Sequence, residues 1–195
     1  MQYGVRKRRT ALKKAVLFSG VGVSLALGIF VIVSLGNTRP SDEAWRAYRE
    51  AFSRYGAISS DRPYMILVDY TLPFFKKRLW VIERNTNEII ITAHVTHAWN
   101  SGFFYATDFS NTPGRQRTCT GAFLTREAYE GRFGLSMRIV GLEKGINDNA
   151  ERRAIVFHAS YLPWTFGCFA TFPPVNKRII RLTKNSAFLY VHKRN

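Results

Sequence analysis

Two residues with the chemistry of a nucleophile and its base lie ten positions apart in the segment AIVFHASYLPWTFGCFATFPP, residues 154–174. His158 is one of four histidines and Cys168 is one of two cysteines in a chain of 195 residues. An imidazole within hydrogen-bonding distance of a thiol takes its proton and makes the sulfur a nucleophile. Spacing alone leaves a second interpretation open, because an unpaired histidine or cysteine is more often a core residue.

The residues between this pair permit the two side chains to meet. The stretch RAIVFHA (153–159) has a strand pattern with His158 near its end, and nine residues separate His158 from Cys168. Such a loop spans up to about 30 Å when extended, so it readily folds back. Gly167 allows a close backbone approach that a side chain would block. The N–H groups of Gly167 and Cys168 are then candidates to receive an oxyanion.

The rest of the sequence predicts a mainly β domain with short helices. An amphipathic helix is predicted over residues 41–57, where apolar residues recur at steps of three and four after Ser41 as cap. Short helices are predicted over TREAYEG (125–131) and from about Pro174 to Lys184. Asn85, Thr86 and Asn87 predict a hairpin turn. The predicted strands are 64–70, 78–84, 88–97, 135–144, 153–159 and 187–193.

The N-terminus predicts a membrane anchor. Residues 1–14 hold six Lys and Arg residues and no acid, and residues 15–36 hold no charge. An uncharged stretch of this length matches a hydrocarbon core of roughly 30 Å, although Ser34-Leu35-Gly36 also permits cleavage. Basic residues stay in the cytoplasm, which predicts a single-pass inner-membrane protein with its main domain outside the cytoplasm. The predicted parts are a basic cytoplasmic tail (1–14), an anchor or signal segment (15–36), a helix and linker (37–61) and a catalytic-like domain (62–195).

The exported part of the chain keeps a positive charge. Six of the 29 Lys and Arg residues precede residue 15, so 23 stand against 13 Asp and Glu and leave a net charge of about +10. Such a surface favours anionic partners, and an exported domain meets cell-wall polymers and anionic lipid. Because no nucleic-acid motif accompanies the charge, we expect no nucleic-acid partner. The sequence gives no indication of the oligomeric state.

Four stretches resemble the murein L,D-transpeptidase catalytic-domain family. They are THAWNSG (96–102), YATDFSNTPG (105–114), TGAFLTREAYEGRFGLSMRIVGLEKGINDNA (120–150) and RAIVFHASY (153–161). The resemblance covers roughly residues 62–192 and implies a mostly β catalytic fold. It implies Cys168 as nucleophile, His158 as general base and Thr165-Phe166-Gly167-Cys168 as the family's Ser-x-Gly-Cys turn.

The same resemblance implies the remaining site residues and the substrate. His97, Asn111 and Trp164 are predicted to contact substrate, although each of the first two is also compatible with a packing or turn role. The implied substrate is a peptidoglycan stem tetrapeptide, cleaved through a thioester, with no metal or organic cofactor. The segment between His158 and Cys168 is shorter than is usual in the family, and Trp164 stands where an Arg is usual. Tryptophan does not replace a guanidinium that holds a carboxylate.

Two alternatives to the transpeptidase stay open at this point. With water as acceptor, the same residues make an L,D-carboxypeptidase, and without turnover the fold becomes a cationic module that binds the cell wall. A disulfide between Cys119 and Cys168, which an oxidising compartment permits, would make both cysteines structural.

Overall fold

The computed structural model describes residues 23–32, 34, 36, 38–59 and 62–194. The chain divides into two compact units, residues 1–36 and residues 37–195. Within the described part of the second unit, two α-helices and a large sheet form the domain. The helices are α1 (Asp42–Tyr55) and α2 (Pro173–Thr183). The strands are β1 (Tyr64–Asp69), β2 (Leu79–Glu83), β3 (Ile89–Ala93), β4 (His97–Ala98), β5 (Gly121–Gly131), β6 (Gly134–Gly141), β7 (Val156–Ala159), β8 (Trp164–Thr165), β9 (Phe169–Thr171) and β10 (Phe188–His192).

Eight of these strands form one mixed sheet in the order β3-β2-β1-β10-β5-β6-β7-β9, and β4 pairs with β8 beside it. Most neighbours are antiparallel, but β10 lies parallel to β1, and β9 lies parallel to β7. A parallel pair needs a long crossover connection. The chain between β7 and β9 contains β8 and the turn that holds Cys168, so this crossover carries the candidate site.

The two helices cover the two faces of the sheet. Helix α1 begins at Ser41, whose side chain accepts the Ala44 N–H, and its apolar side packs with Trp80 and Phe188 on one face. Helix α2 begins at two prolines and buries Ile179 and Ile180 in the larger core on the other face. Apolar side chains on both faces of the central strands explain why β1 and β2 read as nearly continuous hydrophobic runs.

Most sequence-predicted elements are confirmed, and one is wrong. The predicted amphipathic helix packs on the domain, and Asn87 takes a positive φ of 59° in the predicted hairpin turn. The segment TREAYEG (125–131) was predicted to be helical, but it is the second half of β5. It pairs with β6 from Ala128 to Gly131 after a register shift, because backbone pairing along the hairpin outweighs the local preference of Glu and Ala for a helix. The predicted strand over residues 88–97 ends at Ala93, and His97 begins β4.

The predicted anchor falls partly on residues outside the described ones. Of residues 15–36, the structure describes 23–32, which are helical, and residues 34 and 36. Within the described ranges, no helix has the length and apolar character needed to span a bilayer.

Candidate active site

Strand pairing brings the chain at His158 next to the chain at Cys168. His158 lies opposite Ala170 in the parallel pair of β7 and β9, and Cys168 immediately precedes β9. The chain therefore folds back between the two residues, as expected from the sequence. Contact between the imidazole and the thiol stays a prediction.

The Cys168 thiol is free and half-buried. Its Sγ lies 3.7 Å from the Ala154 carbonyl oxygen, to which the S–H donates. Burial raises the pKa of this thiol, while a hydrogen bond from the Val156 amide and the charge of Arg153 act to lower it. Burial is the largest of these effects, so the net shift favours the protonated thiol. Cys119 is also free and is buried, so the disulfide alternative is not present.

His158 is held as a neutral base. Its Nδ1 lies 2.8 Å from the Ala159 carbonyl oxygen, which only accepts hydrogen bonds, so Nδ1 carries the proton and Nε2 keeps its lone pair. The ring is 4% exposed, and the Phe133 ring stacks on it at 4.4 Å. Burial lowers the pKa of His158, and the bond to Ala159 opposes that shift only in part. A neutral imidazole with a free Nε2 is the form that accepts a proton.

The turn before Cys168 has the geometry that its sequence requires. The Thr165 hydroxyl donates to the Cys168 carbonyl oxygen at 2.7 Å and accepts the Gly167 N–H at 3.2 Å. Gly167 has a φ of +134°, and a Cβ there would lie 2.8 Å from the Ile155 Cδ1 atom. Thr165 thus shapes the turn. The Gly167 N–H is bound to Thr165 in this structure, and the oxyanion role of the Gly167 and Cys168 N–H groups stays a prediction.

Arg153 was not predicted from the sequence, and it connects three parts of the site. Its guanidinium donates to the Ser110 carbonyl oxygen at 2.5 Å and to the Arg117 carbonyl oxygen. Its charge also acts on the pKa of both Cys119 and Cys168. The local sequence ERRA (151–154) does not indicate this role, because the role depends on contacts with the loop at residues 108–118, which is distant in sequence.

His97, predicted to contact substrate, lies fully inside the domain. Its Nδ1 accepts from the buried Arg78 guanidinium at 2.7 Å, so its Nε2 carries the proton and donates to the Gly102 carbonyl oxygen at 2.8 Å. Burial and the charge of Arg78 lower the pKa of His97 to about 4. With both nitrogens engaged and no exposed surface, the ring joins two loops and does not reach a ligand.

Asn111 and Trp164 are both anchored within the protein. The Asn111 amide donates to the Asp148 carboxylate at 2.6 Å, and its oxygen accepts the Asn149 N–H, which joins two loops beside the site. Trp164 packs edge-on against Trp99 with ring centres 4.6 Å apart. Trp164 is half-buried, four residues before Cys168, and its predicted contact with substrate stays a prediction.

A comparison of the sequence with known protein families identifies the family of this domain. The sequence pattern of the L,D-transpeptidase catalytic domain matches residues 39–192. The chain belongs to this family. The matched region includes α1, the whole described sheet and the segment from His158 to Cys168, so the resemblance predicted from four short stretches is confirmed. No curated protein matches the chain significantly.

Solved structures match the chain at low sequence identity, and one of them, with a TM-score above 0.5, shares the fold. The helical cell shape determining protein Pgp2 from Campylobacter jejuni is 15% identical, with a TM-score of 0.51, over 80% of this chain and 58% of that chain. Bd1075 from Bdellovibrio bacteriovorus is 19% identical, with a TM-score of 0.45, over 67% of this chain and 48% of that chain. An L,D-transpeptidase from Stackebrandtia nassauensis is 13% identical, with a TM-score of 0.43, over 69% and 58%. The chain thus spans between 48% and 58% of the length of these three structures.

Proposed function

We propose that this protein is a membrane-anchored L,D-transpeptidase that acts on peptidoglycan stem tetrapeptides. The observation that carries the proposal is the pairing of two strands: β7 holds a neutral His158 with its Nε2 lone pair free, and β9 directly follows the free thiol of Cys168. Membership of the L,D-transpeptidase catalytic-domain family supports this assignment of the two side chains.

The first half of the proposed reaction forms a thioester. The thiol leaves the Ala154 carbonyl and passes its proton to His158 Nε2, and the thiolate attacks the carbonyl carbon at the L-centre of the third stem residue. The Cys168 N–H faces the developing oxyanion. When the tetrahedral intermediate collapses, the bond to the terminal D-alanine breaks and His158 returns its proton to the leaving amine.

The second half regenerates the thiol. The amine of a diamino acid on another stem gives a proton to His158 and attacks the thioester carbonyl, which forms the amide crosslink. The bond to the Cys168 sulfur breaks, and His158 returns the proton to that sulfur. Attack by water gives an L,D-carboxypeptidase with the same residues. The identity of the acceptor decides between these products, and the positioning of the donor carboxylate falls to groups other than Trp164, which lacks the charge of an arginine.

The proposal places residues 15–36 in the inner membrane and the domain on its outer side. The support is the uncharged run, the six preceding basic residues and the rule that basic flanks stay in the cytoplasm. Peptidoglycan lies on that side of the membrane, so the proposed topology and the proposed substrate agree.

The test is release of D-alanine, and formation of crosslinked dimers, from tetrapeptide-containing muropeptides incubated with the full chain in detergent. We expect both in the wild type, and neither in Cys168→Ala or His158→Ala. Cys119→Ala is the matched control, because this thiol is buried and takes no part in the reaction. A wild type no faster than Cys168→Ala would refute the proposal, and mass spectrometry after exposure to a carbapenem would show whether Cys168 is acylated.

One observation favours a second candidate, a cationic wall-binding module without turnover. The thiol donates to the Ala154 carbonyl, and its pKa is raised rather than lowered. Such a module would bind purified peptidoglycan sacculi in a salt-sensitive way, and binding would survive Cys168→Ala. Binding of that kind without D-alanine release in the wild type selects this candidate.

A further inference from the structure

Six aromatic side chains lie together at the surface and leave much of their apolar area exposed to solvent. We name this surface the aromatic patch. Its members are Phe74, Phe75, Trp99, Phe103, Phe104 and Trp164, which come from three separate segments of the chain. Trp99 is 53% exposed, and Phe103 and Phe104 are each 52% exposed. A contiguous exposed apolar surface of this kind marks an interaction site.

The patch is an ordered surface, because its rings pack on one another. Phe103 contacts Phe104 at a centroid distance of 4.8 Å and Trp164 at 5.3 Å. Phe74 lies within about 6 Å of both Phe104 and Trp164, and its N–H donates to the Phe104 carbonyl oxygen at 2.8 Å. These contacts hold the exposed faces of Trp99 and Phe103 in place without a ligand.

Basic residues lie in the segments that carry the patch. Lys76 and Lys77 directly follow Phe75, and both are half-buried. Residues 71–80, 94–107 and 160–172 contain no Asp or Glu, and Asp69 and Asp108 are the acidic residues that flank the first two segments. The indoles of Trp99 and Trp164 have a polar N–H on an apolar ring, and such rings beside lysines suit the head-group region of a bilayer that contains anionic phospholipid.

The start of the domain lies next to the patch. The Thr38 hydroxyl donates to the Lys77 carbonyl oxygen, and the Trp80 indole N–H donates to the Thr38 carbonyl oxygen at 2.9 Å. Thr38 is therefore fixed to the same segment that carries Phe74 and Phe75. The predicted anchor ends at residue 36, and two residues reach at most about 7 Å.

We propose that the aromatic patch is inserted in the head-group region of the membrane, with anionic phospholipid as its partner. This inference rests on the anchor of the proposed function and goes beyond it. The short tether brings the segment at Thr38 to the bilayer surface, and the adjoining aromatic and cationic groups supply the chemistry that this surface accepts. A patch in this position holds the turn at Cys168 close to the membrane, because Trp164 precedes Cys168 by four residues.

The experiment uses tryptophan fluorescence of the full chain in nanodiscs of phosphatidylethanolamine and phosphatidylglycerol. Bromine atoms near the head-group end of the acyl chains quench tryptophans that lie at the interface. We expect lower emission in brominated than in unbrominated discs. Each of Trp99→Phe and Trp164→Phe should reduce this loss, and the double variant should reduce it further than either single variant.

Trp45 and Trp80 are retained in every variant, so the quenching that the double variant keeps measures their contribution. Equal wild-type emission in both kinds of disc would overturn the inference, as would quenching in the double variant as large as in the wild type. Failure of the full chain to enter the discs would overturn the anchor and the patch together. The quenching does not depend on catalysis, so an inactive protein with quenched Trp99 and Trp164 refutes only the proposed reaction. Replacing phosphatidylglycerol by phosphatidylcholine should weaken the quenching if the lysines contribute, and unchanged quenching would remove the anionic lipid from the proposal.

Discussion

His97 offers a test of whether a residue predicted to contact substrate is instead a structural group. Replacing it with glutamine keeps a hydrogen-bonding amide in the space between Arg78 and the Gly102 carbonyl but removes the titratable ring. We expect His97→Gln to lower the free energy of unfolding at pH 7, because the side chain no longer fits both partners. We also expect it to remove part of the loss of stability that the wild type shows in acid.

The magnitude follows from the two pKa values. In the unfolded chain the ring titrates near 6.5, and in the folded protein its pKa is about 4. Between these values the unfolded chain holds the proton and the folded protein does not, so acid favours unfolding. The stability is present above pH 6.5 and is lost as the pH falls toward 4. At about 1.4 kcal/mol per pKa unit the loss amounts to about 3 kcal/mol.

The assay is urea unfolding of the wild type and of His97→Gln at a series of pH values from neutral to mildly acidic. His158 and His192 also have lowered pKa values through burial and contribute equally to both proteins. The two stability curves should therefore converge as the pH falls. Parallel curves would show that His97 titrates normally in the folded protein and would refute its assignment as a buried neutral link.

Three further substitutions test the site. Gly167→Ala should lower the free energy of unfolding by about 1–3 kcal/mol through backbone strain alone. The clash with Ile155 should lower it further, and D-alanine release should be abolished. Gly114→Ala, at a φ of +81° with open space around it, measures the strain without a clash in the same unfolding assay. Phe133→Leu should move the acid limb of the pH–rate profile upward, because water then reaches His158 and its pKa rises; an unmoved limb contradicts the stacking role. Asn147→Ala removes the hydrogen-bond partner of the Glu143 N–H and of the Thr120 and Ala122 carbonyl oxygens. We expect it to lower the free energy of unfolding in urea by about 3 kcal/mol or more. A decrease of less than about 1 kcal/mol would contradict the assignment of three buried hydrogen bonds to this side chain.

The sequence indicates a candidate pair, Cys168 and His158, but not the groups that surround it. The pair is predicted because its residue types are rare in the chain and the surrounding stretches resemble a family. Phe133 and Arg153 were missed, since each acts on the pair through a loop or hairpin whose position depends on the folded sheet. The stacking of Phe133 on His158 requires the tip of the β5–β6 hairpin to reach β7, and no local pattern encodes that approach.

The fold shows the same division between local and long-range information. Helix α1 was predicted because its cap and its apolar spacing are local signals. The second half of β5 was predicted as a helix because its identity as a strand depends on β6, which lies across the hairpin. For a related reason, the sequence leaves substrate contact and packing both open for His97. Burial of a polar ring depends on a partner nineteen residues away, Arg78, whose own burial is invisible in the sequence.

The position of β10 imposes an order on biogenesis. This strand, formed by residues 188–192, lies between β1 and β5 and joins the two halves of the sheet. A chain in which residues 188–192 have not yet joined the sheet presents two unpaired strand edges, on β1 and β5, where the centre of the sheet belongs. Assembly of the sheet therefore waits for residues 188–192, and a stop codon ahead of Phe188 yields a chain that exposes both edges to aggregation and proteolysis.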